Sequence, residues 1–164
     1  MKKQKNIKFR RRIKRKTDYK ARRALLEGNI PRLVVRKTNK YIITQIITSK
    51  EAQDAVICSA NSKELQNYGF DSSFKNIPAA YLTGYLIGLK AKKQKIKEAI
   101  LDIGYQISTK GSKIYAALKG FADSGVKINY SEEIIPSEER IKGVHLKKKV
   151  DLEKIKKAIG EKNA

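Results

Sequence analysis

The sequence predicts an α/β protein: a mixed β-sheet packed against helices, with a basic N-terminal arm and a short C-terminal helix. Three observations carry that expectation. The run PRLVVRKTNKYIITQIIT, residues 31–48, alternates branched apolar and polar side chains with the period of two of a β-hairpin. A strand–helix–strand order follows over residues 55–102. The net charge of +22, from 38 Lys and Arg against 16 Asp and Glu, gathers at the two ends of the chain.

In chain order, residues 1–23 hold 13 basic residues and one acid, a surplus of +12. Met1–Lys16 has too few apolar side chains to bury and is expected to order only on a partner. Asp18–Glu27 has better helix formers, and Gly28-Asn29 before Pro31 ends that short basic helix. The hairpin follows, with strands at Arg32–Arg36 and Tyr41–Thr48 and a polar turn at Lys37–Lys40. Leu33 and Val35 share one face, and Arg32, Val34 and Arg36 share the other. With Lys37 and Lys40 at the turn, that second face is expected to form a cationic ledge; an ordinary solvated strand face is the plainer alternative.

A third strand is expected at Ala55–Ser59, a helical turn at Asn61–Asn67 and a polar loop at Tyr68–Lys75. The clearest helix is Asn76–Lys93, with Asn76 as its cap and Pro78 in the first turn, where no backbone donor is needed. Ala80, Gly84 and Gly88 fall on one face of it. Each glycine costs about 1 kcal/mol against alanine, which predicts a close backbone approach, expected here against the sheet. About 13 mainly apolar residues are too few to span a bilayer. A short strand at Glu98–Gly104 would then pair in parallel with Ala55–Ser59 through a right-handed crossover.

The loop Ser108–Lys113, STKGSK, opens a helix whose Ile114, Ala117, Leu118 and Phe121 make an apolar stripe, and Gly125 is placed to end it. The first turn of a helix offers free N–H groups and a positive dipole to an anion. The nucleotide-binding G-x-x-x-x-G-K-[ST] spacing is absent, so an anion site and an ordinary capped turn both stand. Glu132, Glu133, Glu138 and Glu139 around Pro136 are expected to balance nearby lysines, and Asp151–Gly160 to form a helix with Leu152, Ile155 and Ile159 on its stripe. Three regions result: a basic arm and short helix (1–28), an α/β body (29–130) and a C-terminal extension (131–164).

The charge is far larger than solubility requires, and it opposes compaction by self-repulsion. A polyanionic partner accounts for it, nucleic acid first and a membrane surface second. Residues 24–139 carry 16 basic and 12 acidic residues, a surplus of only +4, and residues 140–164 carry nine and three, +6. A near-neutral body with two basic ends is the implied organisation.

Chemistry-bearing residues are few. Cys58 and His145 are each the sole representative of their type, so an internal disulfide is impossible and a four-ligand zinc site lacks donors. Cys58 reads as a small buried thiol. The N-terminus has the charge of a targeting segment without its apolar stretch, and a cytosolic location is expected. Asp54, Asp71, Asp102 and Asp123 show no ligand spacing, so neither enzyme activity, a cofactor nor a metal is expected.

The ordered segments PRLVVRKTNKYIITQII (31–47), ANSKELQNYGF (60–70), NIPAAYLTGYL (76–86), LDIG (101–104), STKGSKIYAALKGFADSGVKI (108–128) and EEIIPSEERIKGVHL (132–146) resemble one family. It is the large-subunit ribosomal protein that binds 5S ribosomal RNA, called ribosomal protein L-eighteen in bacteria and archaea and L-five in eukaryotes. The resemblance covers about residues 6–146 and is closest to the archaeal form. It implies a mixed-sheet α/β fold, binding to 5S and 23S RNA in the central protuberance of the large subunit, and a second 5S-binding large-subunit protein as neighbour. No membrane and no small-molecule substrate are implied. An architectural nucleic-acid-binding protein outside the ribosome is the alternative.

The expected RNA contacts fall into three groups. Lys8, Arg10, Arg11, Arg12, Lys14, Arg15, Arg22 and Arg23 belong to the arm and its helix. Arg32, Arg36, Lys37, Lys40 and Tyr41 belong to the ledge. Thr109, Lys110, Gly111, Ser112 and Lys113 belong to the loop. Tyr41 could stack on an unpaired base or pack on the ledge.

Overall fold

The computed structural model describes residues 7–51, 53–146 and 150–163. The part of the arm before residue 7, where ordering on a partner was expected, lies outside the described residues. Two short helices come first, α1 (Arg10–Ile13) and α2 (Tyr19–Glu27). Asp18 caps α2, its Oδ1 accepting from the amides of Lys20 and Ala21. The hairpin is β1 (Arg32–Lys37) and β2 (Ile42–Lys50). Its turn is closed by Thr38, whose amide donates to the Tyr41 carbonyl while its Oγ1 accepts from the Tyr41 amide.

β3 runs from Gln53 to Asn61, longer than the five residues expected, and a register shift between Ile46 and Ile47 bends its pairing with β2. A 3-10 helix at Ser62–Tyr68 starts with a capping box, in which Asn61 and Glu64 satisfy each other's backbone donors. α3 (Ile77–Lys93) is capped by Asn76 Oδ1, which accepts from Ala79 N at 2.8 Å. Then come β4 (Ile100–Asp102), α4 (Lys113–Asp123), a 3-10 turn at Glu132–Ile134, α5 (Glu138–Lys142) and α6 (Leu152–Asn163).

The sheet order is β3-β2-β1-β4, with β1 antiparallel to β2 and β2 antiparallel to β3. β4 pairs in parallel with β1, Leu33 opposite Leu101 and Val34 opposite Asp102. The expected parallel pairing of β4 with β3 is therefore corrected: the connection through α3 passes over two strands. The physical reason is burial. β1 is the strand covered on both faces, with Arg32, Leu33, Val34 and Val35 all buried. A central strand needs neighbours on both edges to satisfy its backbone groups, and β4 supplies the second.

One face of the sheet packs on α3 and α4, which bury Leu33, Val35, Ile42 and Ile46 together with Leu82, Leu86, Leu118 and Phe121. α3 is buried on nearly every side because α4, α5 and α6 also lie against it. The glycine stripe does mark a close backbone approach, but its partner is α4 and not the sheet. A methyl group on Gly84 would overlap the Ala117 carbonyl, and one on Gly120 would overlap the Tyr81 carbonyl. The two helices thus interlock glycine against backbone. α6 completes the layer, burying Leu152, Ile155 and Ile159 as its stripe predicts. Tyr81 Oη donates to Asp123 Oδ2 at 2.7 Å and accepts from Lys156 Nζ at 2.9 Å, joining α3, α4 and α6.

Candidate nucleic-acid interface

The other face of the sheet was expected to be a cationic ledge, and the structure corrects that. Arg32 is 2% exposed, and its guanidinium is held between two carboxylates, with Nη1 donating to Asp102 Oδ2 and Nη2 to Asp54 Oδ1, both at 2.8 Å. Arg22 from α2 reaches over the sheet and grips Asp54 with two hydrogen bonds, at 2.8 and 3.0 Å. Arg36 donates to Asp102 Oδ1 at 2.9 Å and to the Asp102 carbonyl at 2.7 Å. The Gly104 amide adds a further bond to Asp102 Oδ1 at 2.9 Å. Burial works to raise the Asp54 pKa, but the hydrogen bond from Arg22 and the charge of Arg32 outweigh it and hold the carboxyl below its ordinary value.

Three of the basic residues assigned to the interface therefore neutralise acids of the sheet, Asp102 buried and Asp54 open to solvent on one side. Arg32, a bare guanidinium away from water, would be very costly without Asp54 and Asp102. Sequence distance hid those partners. Asp102 arrives through the parallel β1–β4 register and Asp54 through the β2–β3 hairpin. The available signal was a lone acid in the apolar run AILDIG. Tyr41 is half-buried with its ring 6.1 Å from that of Phe74, which in turn lies 5.9 Å from Phe70.

The arm behaves differently. Lys8, Arg10, Arg11, Arg12, Lys14 and Arg15 are all exposed. Arg11 Nε donates to Thr17 Oγ1 at 2.8 Å, and no ion pair with a carboxylate forms for any of the six among the described residues. Ile7, Phe9 and Ile13 are exposed as well, and Phe9 leans on Tyr19 with ring centroids 5.0 Å apart. In α2, exposed Arg23 pairs with Glu27 at 3.4 Å.

At the opposite end of β1, Lys37 and Lys40 are exposed beside the hairpin turn. The loop after β4 returns to the same place. Gly111 has φ +69°, a left-handed conformation that favours glycine, and its amide donates to the Ile134 carbonyl at 2.9 Å. Ser112 begins α4 without its side chain capping the helix, and its amide donates to the Thr109 carbonyl. Lys110 turns to Glu133 at 3.3 Å, one of the lysine-balancing contacts expected of the acidic segment; Lys142 with Glu138 at 3.7 Å is another. Lys37, Gly111, Ser112 and Lys113 line one cleft together with Lys75 and Arg140, two cations that residue-by-residue reading passed over.

Among the described residues no group of three or more His, Cys, Asp or Glu is placed to hold a metal ion, and no helix is long and apolar enough to cross a membrane. Cys58 is half-buried, and burial raises its thiol pKa.

A buried arginine matched by acids, beside an arm whose six described cations are not, is the profile of a protein whose partner is a polyanion. Comparison with known proteins identifies the family. The family model for the ribosomal large-subunit proteins 60S L5 and 50S L18 matches residues 3–98 and 88–131, and the chain belongs to that family. The large ribosomal subunit protein uL18 of Korarchaeum cryptofilum is 56% identical over 140 residues, 85% of this chain and 72% of the relative. Those of Methanoregula boonei and Methanospirillum hungatei are 49% and 47% identical over 140 residues, 85% of this chain and 80% of each relative.

Proposed function

We propose that the protein binds 5S rRNA and attaches it to 23S rRNA in the central protuberance of the large ribosomal subunit, beside a second 5S-binding protein, in the cytoplasm. It acts without catalysis, as a structural constituent. The observation that carries this reading, beyond family membership, is the segregation of charge. The exposed arm holds six described cations with no carboxylate partner, while the body's arginines are spent on Asp54 and Asp102.

Such an arm works by counterion release. Each phosphate it neutralises frees condensed cations, so log K falls with log salt by about 0.7 to 0.9 per phosphate contacted. These contacts set position and do not read sequence. Selection of 5S RNA then rests on the shape of the body, residues 29–130, through the hairpin turn with Lys37 and Lys40 and the loop of Thr109, Lys110, Gly111, Ser112 and Lys113, flanked by exposed Arg23 of α2.

Side-by-side binding to 5S rRNA and duplex DNA at physiological salt tests the proposal. Preference for 5S rRNA by 10-fold or more supports it. Equal affinity for the two would favour an architectural nucleic-acid-binding protein outside the ribosome. Sequencing the RNA that co-purifies with the full chain gives a second, independent readout.

A further inference from the structure

The cleft shared by the hairpin turn and the start of α4 holds four cations contributed by four separate segments. Lys37 ends β1, Lys75 precedes α3, Lys113 opens α4 and Arg140 lies in α5. No carboxylate lines the cleft, and none of the four makes an ion pair among the described residues. Of the acids flanking Pro136, Glu133 pairs with Lys110 and Glu138 with Lys142. This differs sharply from the Arg32 site, where every buried cation has an acid.

Two further observations concern residues at the wall of this cleft. Ser112 Oγ is inaccessible to solvent and has no hydrogen-bond partner, although Ser112 lines the cleft and occupies the capping position of α4. A buried hydroxyl without a partner is costly and calls for an explanation. The amides of the first turn of α4 also lack a side-chain cap, in an eleven-residue helix whose dipole adds positive charge there. Lys113 has a lowered pKa, first because burial disfavours its charge and then because Lys75 and Lys37 repel it. Lys37, Lys75 and Lys113 are thus close enough to destabilise one another, and the free protein gains nothing from that.

We propose that this cleft is a phosphate-binding site in which Lys37, Lys75, Lys113 and Arg140 surround a backbone phosphate of the bound RNA, and that Ser112 Oγ, which has no hydrogen bond to lose, turns out of its buried position to donate to one of the phosphate oxygens. The proposal rests on the rRNA-binding reading for the source of the phosphate, and on the cleft alone for its chemistry. A phosphate carries a full negative charge and accepts charge-assisted hydrogen bonds from Lys and Arg donors on separate segments. The volume of about 450 Å³ admits the group with adjoining sugar. The cleft has Ile77 as its one large apolar wall and no aromatic ring, so it is not built to stack a base. Gly111 leaves open space where a side chain would stand, clearing the approach.

The test uses the full chain and the double variant Lys75→Gln/Arg140→Gln. Neither residue has an ion pair to lose, so the variant should fold and should melt at the same temperature as the parent or slightly higher, as repulsion is relieved. In the RNA-free parent, inorganic phosphate added at constant ionic strength should give saturable amide shifts at Lys113–Tyr115 in 15N–1H spectra, and the variant should lose them. With 5S rRNA, the variant should bind at least 10-fold more weakly and lower the salt slope by about 2, roughly 1 per cation removed. Weak, unsaturable shifts spread over the lysine-rich surface would overturn the site. Localised phosphate shifts with unchanged RNA affinity and slope would show a site for free phosphate and overturn the RNA seat. If the parent fails to prefer 5S rRNA over duplex DNA, the rRNA reading fails by itself, and the phosphate titration still decides the cleft.

Discussion

Replacing Arg32 by Met separates a structural arginine from an RNA-facing one. Methionine keeps much of the volume and removes the charge. Arg32 and Asp102 side chains are 3% and 10% exposed, so water replaces little of what is lost. Breaking a buried ion pair costs about 3–5 kcal/mol, mostly from the charge left behind. Here the stranded acids keep partners, Asp54 with Arg22 and Asp102 with Arg36 and the Gly104 amide. The cost of Arg32→Met should therefore lie near the low end, about 3 kcal/mol. Asp102→Ala leaves buried Arg32 with Asp54 alone and the partly exposed Arg36 with backbone carbonyls, so it should cost a similar amount, about 3–4 kcal/mol. At about 2–4 °C per kcal/mol for a chain of this size, Arg32→Met should lower Tm by about 6–12 °C. Urea unfolding of the RNA-free chain measures the loss, and rRNA binding under conditions where the variant is folded should keep its salt slope. A variant that unfolds at the parental urea midpoint yet binds RNA poorly would refute the burial reasoning and restore Arg32 to the interface.

The other predictions are briefer. Deleting residues 1–16, which carry ten basic residues, should weaken rRNA binding and flatten its salt dependence while leaving the melting temperature of the body unchanged; an unaltered slope contradicts the arm's role. Gly111→Val has open space for its side chain but must adopt φ +69°, which costs about 1–2 kcal/mol, so it should lower stability modestly and 5S affinity at least as much as Lys110→Ala/Lys113→Ala. If both variants bind RNA normally, the loop is only a turn. Because its folded-state pKa lies below the ordinary 3.8, Asp54 contributes stability above that pH and loses it as pH falls through the folded value. The stability gap between the parent and Asp54→Asn should accordingly close on acidification below about pH 4, and a gap constant to pH 2 would sink this. Gly84→Ala gains about 1 kcal/mol of helix propensity but drives a methyl into the Ala117 carbonyl, and overpacking costs about 1–3 kcal/mol; chemical denaturation should show net destabilisation, and a stabilised variant would mean that α3 and α4 slide apart freely.

Local signals were legible where local physics decides. The Asn76 cap, the apolar stripe Ile114, Ala117, Leu118 and Phe121, and the stripe of α6 all lie within one element, and each is found as the pattern predicts. The glycine stripe was half legible. Gly84 and Gly88 announce that a backbone comes close, but a stripe has no way to name the backbone, and α4 lies some thirty residues further on. Strand pairing failed for the same reason: nothing in Ala99–Asp102 says whether β3 or β1 is its neighbour.

The site was misread where charge was treated as a property of one residue. Alternation correctly puts Arg32 and Arg36 on one face, yet an arginine's role depends on which carboxylates the fold delivers to it. Asp54 and Asp102 stand 22 and 70 residues from Arg32, and only the assembled sheet brings them in. Counting charges by region gives a better guide than counting them by strand face. The region 24–139 has nearly balanced charge, and its arginines turn inward to acids; the arm has one acid among 13 bases, and no fold could neutralise it internally. The cleft at Lys37, Lys75, Lys113 and Arg140 is the exception, with three of its cations inside the balanced region and Arg140 just beyond it. Its four cations come from positions scattered over about a hundred residues, each unremarkable alone. A folded protein that holds like charges together without a counterion gives up stability to do so. That cost is the physical mark distinguishing a binding cleft from a merely solvated basic surface, whose lysines are free to spread apart.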